Sequence, residues 1–251
     1  MGASYTRALP TDPPTEGDFD VLIEDEDHNI PVAPAENDLW SYRDWPFPFH
    51  GIGILARQCS LRENMPKHYD AAAASSVATA TATAIAYEAA TLFRPSAACI
   101  EERMQDLSDR NDFRSAFKAI KQCGVCSEDA YGTPDEEDET TLSDTENSSL
   151  EYYRLTEFDI KKAICLGFPV LGMIQVYSTY VPEAPTLPAP DATPLGNHAI
   201  VIVGFDDDTK TYTFARNTTD GGYGTLAYDV SEKILHSLWM LRSTVYDPEM
   251  F

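Results

Sequence analysis

Apolar and polar positions divide the chain into a patternless N-terminal stretch, a helical stretch and a strand-rich stretch. Residues 1–39 are rich in proline and acidic side chains and show little apolar periodicity, which predicts an extended arm. Aromatic residues then begin at Trp40, Tyr42, Trp45, Phe47 and Phe49, with Pro46 and Pro48 between them. Each proline removes a backbone donor and restricts the residue before it, so an extended strap lying on a core is expected here. In residues 71–92 small residues alternate with Ile85, Tyr87 and Leu92, a composition suited to a tightly packed central helix. Its threonines lose rotamer freedom in a helix, so tertiary packing must hold it.

A second helix is clearer. Phe113, Ala116, Phe117 and Ile120 repeat at helical spacing, and Gly124 offers a left-handed stop. Residues 133–150 are acidic, contain no basic residue and are rich in Ser and Thr, which predicts a surface loop and the seam between two halves. Thr156 and Asp159 then stand at capping-box spacing before Ile160, Ala163 and Ile164, with Gly167 closing a short helix. Beyond it, strands are predicted over 170–177, 198–205, 210–216, 223–230 and 238–242, interrupted by a Pro-rich excursion at 182–195. Helices thus precede an antiparallel sheet in an α+β arrangement: arm and strap 1–58, helical half 59–132, acidic loop 133–150, β half 151–251.

Composition narrows the function classes. Of 251 residues, 43% are hydrophobic and 24% charged, the balance of a globular chain, but 18 Lys+Arg against 41 Asp+Glu leave a net charge of −23. That charge repels phosphate backbones and anionic bilayers, so neither nucleic acid nor membrane is expected as a partner. The acidic arm is instead a candidate contact for an assembly partner. No apolar stretch approaches the ~20 residues of a membrane helix, and the N-terminus lacks a basic region followed by an apolar one. Cys59, Cys99, Cys123, Cys126 and Cys165 form an odd, scattered set, from which a reducing, cytoplasmic setting is expected. Cys123 and Cys126 have metal spacing but no second ligand pair completes it, so no metal or other cofactor is expected. His28, His50, His68 and His236 lie far apart and read as surface or packing residues.

Candidate chemistry concentrates in a hairpin. If Asp207-Asp208 forms a two-residue turn, Phe205 faces Lys210, Val203 faces Tyr212, and His198 faces Asn217. An amide oxygen beside an imidazole fixes its tautomer and aims the other ring nitrogen outward, as in the base and orienter of a catalytic triad. A polar pair capping a hairpin end would have the same spacing.

The run Gly196-Asn197-His198-Ala199-Ile200-Val201-Ile202-Val203-Gly204-Phe205-Asp206-Asp207, followed by Arg216-Asn217-Thr218, resembles the histidine strand (GHAVLIVGYDD) and asparagine turn (RNSWG) of the papain family. Ser60-Leu61-Arg62, Pro66 and Tyr69-Asp70 resemble the DLR…P…YDQ segment of the branch found in bacteria and large DNA viruses. Pro95-Ser96, Glu102-Arg103 and Gly124-Val125-Cys126-Ser127-Glu128 resemble its PS…ER and YGVCPE segments; Cys126 takes that segment's cysteine, and Cys123 ends the preceding helix. Gly167-Phe168-Pro169-Val170 resembles GYPV, and Tyr228-Asp229 with Trp239 resembles PYDY…FW, so the ordered matches span roughly residues 60–242. The resemblance implies a two-domain papain-like fold, with a helical half packed on an antiparallel β-sheet or barrel half. It also implies a cleft between them for a peptide or protein ligand. In such a site a cysteine thiolate at a helix N-terminus is activated by the imidazole, while a glutamine helps hold the oxyanion.

The chain departs from that pattern at the nucleophile loop. Where the family reads roughly YDQGxLGSCTANA, this sequence reads Tyr69-Asp70-Ala71-Ala72-Ala73-Ala74-Ser75-Ser76-Val77-Ala78-Thr79-Ala80. No register recovers the cysteine; Ser76, Val77 or Ala78 takes its place, and Ala71 or Ala72 takes that of the glutamine. Thr218-Thr219-Asp220 replace the tryptophan that follows the asparagine. Two expectations follow: a catalytically silent homologue with a binding or assembly role, virion association included, or a hydrolase using Ser76, His198 and Asn217. An engineered nucleophile loop in an otherwise active cysteine peptidase would give the same alanine run.

Overall fold

The computed structural model describes residues 21–25, 28–32, 46, 49, 56–69, 74–89, 93–107, 111–129, 131, 148–180, 186–187, 190, 194–216 and 222–245. Strands β1 (Val21–Asp25) and β2 (His28–Val32) pair with each other, Val21 opposite Val32 and Asp25 opposite His28. A hairpin therefore stands inside the stretch expected as an extended arm. Its segments VLIED and HNIPV are each of strand length with only two residues between them, a local pattern set among prolines and acidic residues that disfavour strands. Of the strap, Pro46 bridges Arg154 and Phe49 is buried.

Strand β3 (Gln58–Ser60) leads into the helical layer: α1 (Ser76–Glu88), α2 (Ala97–Leu107) and α3 (Phe113–Cys123). Helix α1 runs through the interior, and all eleven residues from Ser76 to Ala86 are buried. A helix covered on every side needs small residues where neighbours approach, and Ala78, Ala80, Ala82 and Ala84 supply them. Thr81 Oγ1 donates to Val77 O at 2.8 Å and Thr83 Oγ1 to Thr79 O at 2.8 Å, so these buried hydroxyls are satisfied within the helix. Helix α3 stops at Gly124, whose φ of 71° lies in the left-handed region. Helix α2 was not marked by the sequence pattern, because its buried residues Ala97, Cys99, Ile100 and Met104 make only a sparse apolar stripe.

The sheet follows: β4 (Ser148–Arg154), β5 (Val170–Val176), β6 (Gly196–Asp206), β7 (Thr211–Ala215), β8 (Tyr223–Ala227) and β9 (Leu235–Val245). Their order is β4-β9-β5-β6-β7-β8, with β3 continuing β5's flank of β6 as the seventh strand. All these ladders are antiparallel, and the sheet is open. Helix α4 (Ile160–Cys165) follows a 3-10 turn closed by the Thr156/Asp159 capping box, and Gly167 ends it at φ +92°. Helix α5 (Tyr228–Ile234) occupies residues expected to prolong a strand: Ala227 is extended and the chain turns helical at Tyr228. The two layers meet in an aromatic cluster, where Trp239 of β9 lies edge-on to Phe117 of α3 at 5.4 Å and Phe117 stacks on Tyr152 of β4 at 4.8 Å. Among the described residues no helix is long and apolar enough to cross a membrane.

Two local expectations are corrected. The β6–β7 connection is a four-residue turn, 207–210, with Lys210 at φ 58°, and Phe205 faces Tyr212 rather than Lys210. The register also shifts between Ile202 and Gly204, so Val203 has no simple partner in β7. The Asp206 carboxylate accepts the amides of Asp208 at 2.8 Å and Thr209 at 3.2 Å, which favours the wider turn over the tight one. The cysteines are also not simply scattered: Cys99 of α2 is disulfide-bonded to Cys126, across a Cα–Cα distance of 6.2 Å. That pairing depends on α2 and α3 folding back on each other, which spacing does not reveal.

Candidate functional site at the junction of helix and sheet

The N-terminus of α1 meets the start of β6, and the sequence-predicted residues separate here. Ser75 is the helix N-cap: its Oγ accepts from Ala78 N at 3.3 Å, and its hydroxyl donates to the Glu101 carboxylate of α2. Ser75 N also reaches Glu101 Oε2 at 3.4 Å, and Gln105 Nε2 holds the other carboxylate oxygen at 3.1 Å. An anion is thus fixed at the partly positive end of the central helix, where charge and dipole attract.

Ser76 is the first helical residue and is 1% exposed. Its Oγ accepts a hydrogen bond from Ala199 N at 3.1 Å. Strand β7 ends at Ala215, opposite Val201, so β6 has no β7 partner at the level of Ala199, and the helix hydroxyl takes that amide. The contact sets Ser76 beside the residue that follows His198. His198 pairs with Ile174 on β5, is fully buried, and has the Tyr180 ring at 6.3 Å, tilted by 41°. Val77 and Ala78 are fully buried and offer only backbone and hydrocarbon. Ala71, Ala72 and Asn217 lie outside the described residues, and so does the expected pairing of His198 with Asn217.

A second set of contacts joins the segment before α1 to the β7–β8 end of the sheet. Gly222 N donates to His68 Nε2 at 2.9 Å, and Gly222 O accepts from Arg216 N at 3.0 Å. Tyr223 lies edge-on to the His68 ring at 5.8 Å, under the Arg62 guanidinium at 4.3 Å. Arg94 donates to the carbonyls of Lys67 at 2.7 Å and His68 at 3.2 Å, lies 3.9 Å over the Tyr69 ring, and pairs with Glu128. Burial, reinforced by Arg94, holds the His68 imidazole below its ordinary pKa. Burial also raises the Tyr69 phenol.

His68, expected from the sequence as a surface or packing residue, holds the Gly222 amide, and Glu101, which the sequence did not mark, holds Ser75. His68 directly precedes the Tyr69-Asp70 motif, a position that could have drawn attention to it. Glu101 carries no local signal, since its partner lies 26 residues away.

No family profile and no curated protein matches the chain. Solved structures do. Xylellain, a cysteine protease from Xylella fastidiosa, superposes with a TM-score of 0.65 at 20% identity, over 83% of this chain and 95% of that one. The procathepsin B S9 of Trypanosoma congolense gives 0.58 at 16% identity, over 85% and 87%. Digestive procathepsin L 3 of Tenebrio molitor larval midgut gives 0.52 at 19% identity, over 77% and 74%. The chain has the fold of papain-like cysteine proteases.

Proposed function

We propose that this chain is a papain-like peptidase homologue that binds a peptide or protein segment without cleaving it. The carrying observation is the hydrogen bond from Ala199 N to Ser76 Oγ. It engages the hydroxyl that stands at the start of the central helix as an acceptor for the backbone. A serine nucleophile needs its proton taken by a base and its oxyanion met by pre-set donors, and losing one such donor costs on the order of 10²–10³ in rate. Alanines stand at 71 and 72, where the resemblance places the glutamine donor. The cysteines support the same reading: Cys99 and Cys126 are bonded to each other, Cys123 ends α3, and Cys59 and Cys165 lie on β3 and α4. The binding role, with an assembly partner for the acidic arm and a virion as one setting, extends this reading.

One observation favours the rival, a hydrolase built on Ser76, His198 and Asn217: the Ser76 hydroxyl sits one residue from the imidazole-bearing position. A fluorophosphonate probe separates the two. We expect no labelling of Ser76, no labelling by a thiol-directed epoxide, and no cleavage of an arrayed peptide library that nonetheless retains the protein. Labelling that disappears in His198→Ala would establish the hydrolase.

A further inference from the structure

We propose that His68 is a positioning residue that clasps Gly222, at the start of β8, to the segment before α1, and does so only as the neutral imidazole. The inference rests on the reading of this junction as the ligand site. Its geometry is specific. Gly222 N–H is a donor aimed at Nε2 at 2.9 Å, so Nε2 must carry its lone pair and the ring proton must reside on Nδ1. Gly222 is also bonded through its carbonyl to Arg216 N at 3.0 Å, so residues 216 and 222 close the base of the five-residue segment that contains Asn217. With φ at +89° and open space around a would-be Cβ, Gly222 takes a backbone conformation that other residues rarely adopt, and it is this conformation that presents its amide to the ring.

The imidazole itself is anchored. Arg94 grips the carbonyls of Lys67 and His68, and Tyr223, the neighbour of Gly222, meets the ring edge-on while its hydroxyl reaches Arg62 O at 3.4 Å. The charged and titratable groups around the ring, among the described residues, come from each packed element. Arg94 comes from the segment before α2, Lys67 and Tyr69 from His68's own segment, and Tyr223 from β8 with Arg62 above it. The nearby carboxylate, Glu128, is paired with Arg94. Burial of the ring and, after it, the Arg94 guanidinium oppose a positive charge there, the direction in which His68 is shifted. Protonation converts Nε2 into a donor facing a donor. The clasp then opens and Gly222 loses its tie to His68.

The test follows the Gly222 amide by nuclear magnetic resonance from about pH 8 to about pH 5 in the native chain, in His68→Gln and in His68→Ala. A carboxamide oxygen at position 68 can accept the same N–H without titrating. In the native chain the Gly222 signal should move, and its hydrogen exchange, corrected for intrinsic rates, should accelerate about tenfold or more, with a midpoint below 6.5. The Tyr223 amide, next in the chain and in contact with the ring, should move with the same midpoint. His68→Gln should flatten both curves, and His68→Ala should hold Gly222 in the fast-exchanging state throughout. A Gly222 amide indifferent to the titration of the His68 ring overturns the proposal, as does an unchanged profile in His68→Gln. Failure of the peptide library to retain the protein, with the Gly222 titration intact, would remove the ligand-site reading and leave the clasp standing.

Discussion

The hydroxyl of Ser76 and the amide of Ala199 meet at 3.1 Å, although 123 residues separate them in the chain. Both are buried, so the bond is a structural joint between the central helix and the sheet. Replacing Ser76 by Ala leaves a buried amide without its acceptor, at an expected cost of about 1–3 kcal/mol. Ser76→Thr, which keeps the oxygen, tests whether the loss is that of the acceptor. Urea denaturation with unchanged slope measures both; an indifferent Ser76→Ala would show that the joint contributes nothing.

Gly224 on β8 lies under the ring of its cross-strand partner Phe214. A Cβ there would run into Phe214 Cζ and stand 2.9 Å from Cε1, closer than real Cβ atoms approach, and Phe214 is itself buried. Overpacking of this kind costs about 1–3 kcal/mol. Gly224→Ala should therefore lower the melting temperature by several degrees, and adding Phe214→Leu should recover part of the loss. Calorimetry of the two variants gives the comparison.

Lys161 on α4 pairs with Asp207 at 2.5 Å, and Tyr228 OH donates to the same carboxylate oxygen at 2.9 Å. The bond from Lys161 is the main cause holding the Asp207 carboxyl below its ordinary 3.8; burial opposes it and Tyr228 assists. A carboxyl depressed on folding contributes stability that is complete above 3.8 and is lost as pH falls through the lower folded value. Asp207→Asn should destabilise the chain at neutral pH and flatten its acid limb below about pH 4, as followed by circular dichroism. Burial and the same carboxylate raise Tyr228, while burial pushes Tyr212 up to about 12, so an ultraviolet titration should leave these phenols protonated after exposed tyrosines have ionised.

Cys165 is exposed, yet its thiol is pushed up by burial and then by the neighbouring Cys59 thiol. Alkylation needs the thiolate. Iodoacetamide at neutral pH should modify Cys165 several-fold more slowly than a cysteine in an unstructured peptide, and Cys59→Ala should speed the reaction. Peptide mass spectrometry over time reads the rates. Cys165 reacting at the unstructured rate would contradict the contact.

His68 depends on folding in the opposite sense from a salt-bridged histidine. Its folded pKa lies below the ordinary 6.5, so its contribution to stability is complete above that value and fades as pH falls from there through the folded value. His68→Gln should remove this part of the acid sensitivity, which equilibrium denaturation at pH 7.5 and pH 5 would detect.

Local signals in the chain marked α3 and its stop at Gly124, the Thr156/Asp159 box before α4, and the strands centred on 170–176 and 196–206. Each is encoded within a few residues: a helical repeat, a cap, a left-handed glycine or an apolar run. The order of motifs from Ser60 to Trp239 also pointed to the papain-like fold. What tertiary structure alone decided has no such code. The register shift near Val203, the turn to helix at Tyr228, the Cys99–Cys126 bond, the seat of Ser75 on Glu101 and of Gly222 on His68 all join groups whose partners depend on packing. A hydrogen-bonding side chain takes whichever donor or acceptor the folded layers bring within about 3 Å, and sequence separation carries no record of that choice.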